Sequence, residues 1–108
     1  MKKITYEILV WIGAEQSSRD IGYFEIVKGK PHGALEYFQD MHKQAIDDRD
    51  DGMPYISVRK YNGEDCYEYG DGGRNAGFDG EFNRLPKYVQ QAIKPLVEYQ
   101  KTIDYTID

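Results

Sequence analysis

The chain is poor in the features that most often announce a function. It holds one cysteine, Cys66, among 108 residues. A single thiol closes no internal disulfide, so nothing points to an oxidising compartment and a cytoplasmic setting is the expectation. No Asn-x-Ser/Thr acceptor occurs. The longest apolar run, Ile8 to Ile12, falls far short of the roughly 20 residues needed to cross a bilayer. Met1-Lys2-Lys3 resembles the start of a signal peptide, but Glu7 follows at once and no small-residue cleavage site comes after it. The N-terminal segment therefore reads as the first strand of the mature protein. Clustered cations are missing too. Fourteen Lys and Arg stand against nineteen Asp and Glu, a net charge of −5. Phosphate contacts need clustered bases, so direct nucleic-acid binding and docking on anionic membranes are both disfavoured.

What is present fits one domain spanning 1–108. Hydrophobic residues make up 40% and charged residues 31%, enough for a modest core and unlike a disordered chain. The acidity is local. Residues 1–46 carry six acids and six bases, residues 47–82 ten acids and four bases, and residues 83–108 three acids and four bases.

Alternation predicts strands and three-to-four spacing predicts helices. Ile4 to Ile12 alternates and reads as a strand. Gly13 to Asp20 reads as a turn, and Ile21 to Lys28 as a second strand pairing with the first. Leu35, Phe38, Met41 or His42, and Ala45 or Ile46 place an amphipathic helix over Ala34 to Asp48, ended by Gly52 and Pro54. Tyr55 to Tyr61 and Glu64 to Tyr69 flank Asn62-Gly63, a strong hairpin signal. A two-residue Asn-Gly loop sets Val58 against Tyr67 and Ile56 against Tyr69. Ile56, Val58, Tyr67 and Tyr69 then line the core face, with Ser57, Arg59, Cys66 and Glu68 opposite. Gly70 to Gly80 reads as a loop. Leu85 to Tyr105 reads as helical, with Pro86 in its first turn and Pro95 predicting a kink near Lys94 or two shorter helices. The expected fold is α+β: ββα-ββα, a four-stranded antiparallel sheet with both helices on one face. Leu9 and Trp11 point to the other face, and an uncovered apolar patch there would serve as a dimer or docking site.

No chemical motif survives inspection. Gly72 and Gly77 have P-loop spacing, but Phe78 and Asp79 stand where Lys and Ser/Thr are required. This leaves Arg74, Asn75 and Phe78 as minor contact candidates. Asp48 and Asp50 suggest a calcium loop, yet Gly52 and Met53 break the pattern and no closing Glu follows. Cys66 has acidic neighbours, which disfavour the thiolate, and no histidine is placed beside it. His32 and His42 lie too far apart for a shared helix-face metal site. No catalytic, metal-binding or cofactor-binding residue is therefore assigned, and an enzyme is not expected. Ten tyrosines with Trp11 make a stock of interface anchors.

In size and composition the chain resembles the small acidic proteins that phages and mobile elements direct against host defences: anti-CRISPR inhibitors of RNA-guided nucleases and anti-restriction DNA mimics. The residues that carry this resemblance are Asp47-Asp48-Arg49-Asp50-Asp51, Glu64-Asp65-Cys66-Tyr67-Glu68-Tyr69, and Asp71, Asp79 and Glu81. The resemblance implies a non-enzymatic inhibitor or adaptor in the host cytoplasm, presenting Asp47, Asp48, Asp50, Asp51, Glu64, Asp65, Glu68, Asp71, Asp79 and Glu81 to a partner with a basic surface, such as a nuclease. A homodimer is compatible with it. Two alternatives stand beside it: a small ligand-binding or accessory protein using the 70–80 loop, and an immunity or antitoxin-like protein.

Overall fold

The computed structural model describes residues 3–13, 18–47, 53–70 and 78–103. Four strands form one antiparallel sheet: β1 (Ile4–Gly13), β2 (Ser18–Ile26), β3 (Met53–Asn62) and β4 (Asp65–Tyr69), in the order β2-β1-β3-β4. Helix α1 (Ala34–Asp47) joins β2 to β3, and helix α2 (Lys87–Thr102) closes the described chain. Both pack on one sheet face, giving the two-layer α+β arrangement that the alternation of strands and helices predicts.

The core follows from the two periodicities. Tyr6, Ile8 and Val10 of β1 and Ile56 and Val58 of β3 point toward the helices and are buried. Phe38 of α1 and Val89, Ile93 and Leu96 of α2 meet them, each essentially inaccessible to water. Burying one such side chain contributes about 1.5–3 kcal/mol. Phe38 also packs edge-on against Tyr99 of α2, with ring centroids 5.5 Å apart.

Several sequence expectations change. Ser18–Asp20 belongs to β2 rather than to a turn, because β1 runs on to Gly13 and pairs with Ser18. An irregularity after Val10 absorbs the extra residue Ile21, whose carbonyl accepts a bond from the Tyr37 hydroxyl at 2.7 Å. The β3–β4 register is shifted by two: Asn62 opposes Asp65 and Val58 opposes Tyr69. The turn is therefore Gly63-Glu64. An Asn-Gly turn of the commonest kind needs positive φ at both residues, whereas here Gly63 has φ 72° and Asn62 stays extended in β3. A shift of two preserves the faces, so Ser57, Arg59, Cys66 and Glu68 do share one side. Tyr67 lies on the helix-side face as expected but is 57% exposed, so it is not part of the core.

Pro95 neither breaks nor divides α2, which is a single helix. The carbonyl deprived of a donor is that of Gln91. Both residues are exposed, so water satisfies it. Pro86 precedes the first turn as the N-cap. Of the 70–80 segment expected to be a loop, residues 71–77 lie outside the described residues, and Phe78–Gly80 belong to a 3-10 helix, η1 (Phe78–Arg84). Phe78 is buried in the core rather than offered for contact. Arg74 and Asn75 lie outside the described residues.

His42 joins the two helices. Its Nδ1 lies 2.8 Å from the Tyr99 hydroxyl, and burial holds its pKa below the ordinary 6.5. The folded state thus takes up a proton less readily than the unfolded chain. The stability tied to neutral His42 is complete above about pH 6.5 and is lost as pH falls through the lowered folded value. Urea titrations from about pH 7.5 to pH 5 should show a steeper loss of stability in the wild type than in His42→Gln. Parallel slopes would show that the histidine is not shielded.

Candidate functional site

The helix-free face of the sheet carries the densest polar and aromatic arrangement among the described residues. Register alone builds it. Glu25 of β2, Glu7 of β1, Arg59 of β3 and Glu68 of β4 form one row across all four strands. The next row holds Tyr23, Leu9 and Ser57. Beyond it Asp20, Trp11 and Tyr55 lie side by side. On the other flank Tyr61 opposes Cys66.

Arg59 organises this face. Its direct neighbour in β1 is Glu7, yet its side chain goes elsewhere. Nη2 lies 3.1 Å from Asp20 Oδ2, and Nε lies 3.4 Å from Glu68 Oε2. Reaching Asp20 from β3 means crossing β1, about 10 Å of sheet. The aliphatic stem of Arg59 therefore lies over Leu9, which is only 1% exposed. The guanidinium also stands 5.6 Å from the centroid of the Tyr23 ring, within the range of a cation–π contact. Partial burial by itself would lower the Arg59 pKa, but Tyr61, Glu68, Tyr23 and Asp20 together hold it above its ordinary value. Asp20 is shared, since it also accepts the Tyr23 hydroxyl at 2.8 Å, and that bond is the main cause raising the Tyr23 pKa.

The rest of the face is similarly tied down. Trp11 stacks on Tyr55, with centroids 4.7 Å apart, and donates from Nε1 to Ser57 Oγ at 2.9 Å. Ser57 is fully buried and donates on to the Gly70 carbonyl at 3.4 Å. Tyr61 donates to Glu7 Oε1 at 3.0 Å, and burial is the chief cause raising its pKa. Leu9 and Trp11 therefore form no uncovered apolar patch among the described residues, so the condition for a dimer or docking site built on them is not met. Leu9 is buried under Arg59, and Trp11 is half-buried with its indole bonded.

What the face offers is negative charge beside aromatic surface. Asp20, Glu7, Glu25 and Glu68 stand against Arg59 alone, among side chains whose positions are described. Glu7 and Glu25 are directly opposed, an arrangement that costs a few tenths of a kcal/mol. No ion pair reaches either of them among the described residues, where Arg59 makes both. Tyr23 is 52% exposed beside them.

The acids singled out from the sequence do not share one surface. Asp47 ends α1, near the start of β3, and is exposed. Glu64 and Asp65 lie at the hairpin tip at the far end of β3, roughly 30 Å away along a ten-residue strand. Of the set, Glu68 joins the helix-free face. Glu81 belongs to η1 and accepts the Gly70 N–H at 3.1 Å, a structural bond. Asp79 falls in η1, with its side chain undescribed; Asp48, Asp50, Asp51 and Asp71 lie outside the described residues.

Reading for acid-rich runs misses Asp20, Glu7, Glu25, Tyr23 and Arg59, which are scattered along the chain and joined only by pairing. Strand alternation held the available signal: Glu7 shares parity with Leu9 and Trp11. Among the described residues no three His, Cys, Asp or Glu side chains are placed to hold a metal ion, and no helix is long and apolar enough to cross a membrane. In comparisons with known proteins, no family model, curated protein or solved structure matches the chain.

Proposed function

We propose that this protein is a non-enzymatic binding module that docks a basic protein surface on the helix-free face of its sheet. In this reading it acts as an inhibitor or adaptor of a nucleic-acid-processing protein such as a nuclease. The observation that carries it is the row Glu25–Glu7 beside exposed Tyr23, with Arg59 drawn away to Asp20 and Glu68. A partner lysine or arginine entering over Glu7 and Glu25 relieves their repulsion and finds an aromatic ring alongside. Acidic and aromatic surface on a rigid sheet matches what positively charged interfaces recognise. Proteins that handle nucleic acid have the most extensive positive surfaces in a cell, which supports that class of partner.

The test is an affinity capture from bacterial lysate, before and after nuclease digestion, with the retained proteins identified by mass spectrometry. Three proteins are compared: the wild type, Glu7→Lys with Glu25→Lys, and a variant in which Asp47, Asp48, Asp50 and Asp51 are all asparagine. A nucleic-acid enzyme held by the wild type after digestion, and bound at least about tenfold more weakly by the lysine variant, supports the reading. Loss in the asparagine variant alone would move the interface to the end of α1. Equal capture by all three would exclude a charge-driven interface on either surface.

A further inference from the structure

β2 is an outer strand of the sheet, and its free edge belongs to the same residues that form the candidate site. Which backbone groups point outward along it follows from one hydrogen bond on the far side of the sheet. The Ile56 N–H donates to Gln100, away from β1, and Ile56 opposes Val10. In an antiparallel ladder the N–H and C=O of one residue point the same way, and successive residues alternate. Ile8 and Tyr6, which share the parity of Val10, therefore turn their backbone groups toward β2 and bond Phe24 and Ile26. Tyr23 and Glu25, opposite Leu9 and Glu7, turn theirs to the outside.

Edge strands are normally blunted by lysine, proline, a bulge or a covering element. β2 has such devices at one end only. The irregularity after Val10 and the Tyr37 hydroxyl on the Ile21 carbonyl close the edge at Ile21. From Gly22 to Ile26 there is no lysine and no proline. No hydrogen bond beyond the sheet ladder reaches the backbone of Tyr23 or Glu25 among the described residues. Both side chains are exposed on the helix-free face. Phe24, between them, is half-buried on the helix side against Tyr37, with ring centroids 5.3 Å apart.

We infer, resting on the reading of the helix-free face as the surface that takes a basic protein, that an extended basic segment of that protein adds to the sheet as a further strand, antiparallel to β2 and hydrogen-bonded to Tyr23 and Glu25. In such a pairing the backbone bonds give affinity and alternate side chains give specificity. Directly opposed residues share a face. The incoming residue opposite Glu25 thus stands over the helix-free face. A lysine or arginine there meets Glu25 directly and the Tyr23 ring diagonally, with Glu7 one strand further on. The next incoming residue falls on the helix side beside Phe24 and is apolar. The segment recognised is therefore one with a cation at every second position and apolar residues between. Charge selects against a second copy of this chain, because pairing β2 with β2 extends the Glu7–Glu25 row of one sheet with the same acids of the other.

Amide hydrogen exchange on the full chain tests this in two steps. In the free protein the Tyr23 and Glu25 amides should exchange at least about a hundredfold faster than that of Phe24. Equal protection overturns the edge geometry and the inference with it. A peptide of alternating lysine and valine, as long as the nine residues of β2, is then added at about 1 mM in low salt. It should slow Tyr23 and Glu25 at least about tenfold and leave Phe24 unchanged. Methylating the lysine backbone nitrogens removes the donors that face β2 and should weaken binding at least about tenfold; methylating the valine nitrogens, which face away, should not. A peptide with glutamate for lysine should bind the wild type at least about tenfold more weakly, and so should the lysine peptide bind Glu25→Lys. Equal binding of the two methylated forms, without added protection in β2, overturns strand addition yet leaves the helix-free face as a docking surface. Failure of every peptide to bind overturns it as well, while lysate capture that depends on Glu7 and Glu25 would stand separately. Protection of Tyr23 and Glu25 that rises with protein concentration alone assigns the edge to a second copy and overturns the inference.

Discussion

Gly70→Ala is expected to lower stability by about 3 kcal/mol, a fall in Tm of roughly 12–20 °C for a domain of this size. Two costs add. Gly70 has φ 78°, a left-handed conformation that a side chain disfavours by about 1 kcal/mol. The added Cβ would also overlap the Phe78 ring, which lies directly against the glycine. Phe78 has nowhere to go, since it is 1% exposed and packed into the main core. The backbone of Gly70 is committed as well, donating to Glu81 and accepting from Ser57. Thermal unfolding of the single variant and of Gly70→Ala with Phe78→Ala separates the causes. The glycine change should cost markedly less once the ring is gone. An unchanged Tm in Gly70→Ala would mean that Phe78 does not seat there.

The second large effect is expected at Gln100. It is a polar side chain at 1% exposure inside an apolar cluster, and its Oε1 accepts the Ile56 backbone N–H at 2.9 Å. Strand pairing explains the arrangement. β4 covers only the second half of β3, from Val58 to Asn62, so along the first half no strand lies on the outward edge among the described residues. Outward N–H groups recur every second residue. At Pro54 there is no N–H to satisfy, and at Ile56 Gln100 supplies the acceptor. Gln100→Leu leaves that N–H buried without a partner, at a cost of about 1–3 kcal/mol. The urea midpoint should fall with little change in slope. A leucine variant as stable as the wild type would show that water reaches Ile56.

Much of this architecture is legible from residue order. Alternation in Ile4–Ile12 and in the 55–69 hairpin gives the strands and their inner faces, and helical spacing gives α1 and α2. The errors share a cause, which is that turn geometry and pairing length are set between strands. Asn62-Gly63 signals a turn correctly but not which two residues form it, because the signs of φ decide that. The candidate site is less legible. Acidic runs are visible in a sequence, yet Asp47 and Asp65 separate to opposite ends of β3. Glu7 and Glu25, eighteen positions apart, become neighbours through the β1–β2 register. The grip of Arg59 on Asp20 crosses an intervening strand, and no local pattern encodes it.

The strand order also dictates a schedule during synthesis. β1 is made first but lies inside the sheet, and its β3 partners run from Asn62, paired with Ile4, to Met53, paired with Gly13. These pairs join residues 58 and 40 positions apart. While the ribosome makes residues 27–52, a nascent β1–β2 hairpin can form, but one apolar edge of β1 stays open until β3 arrives. Contacts of such span close slowly. This interval leaves Ile8 and Val10 accessible to chaperones and to other nascent chains, and slower translation through the α1 region would lengthen it.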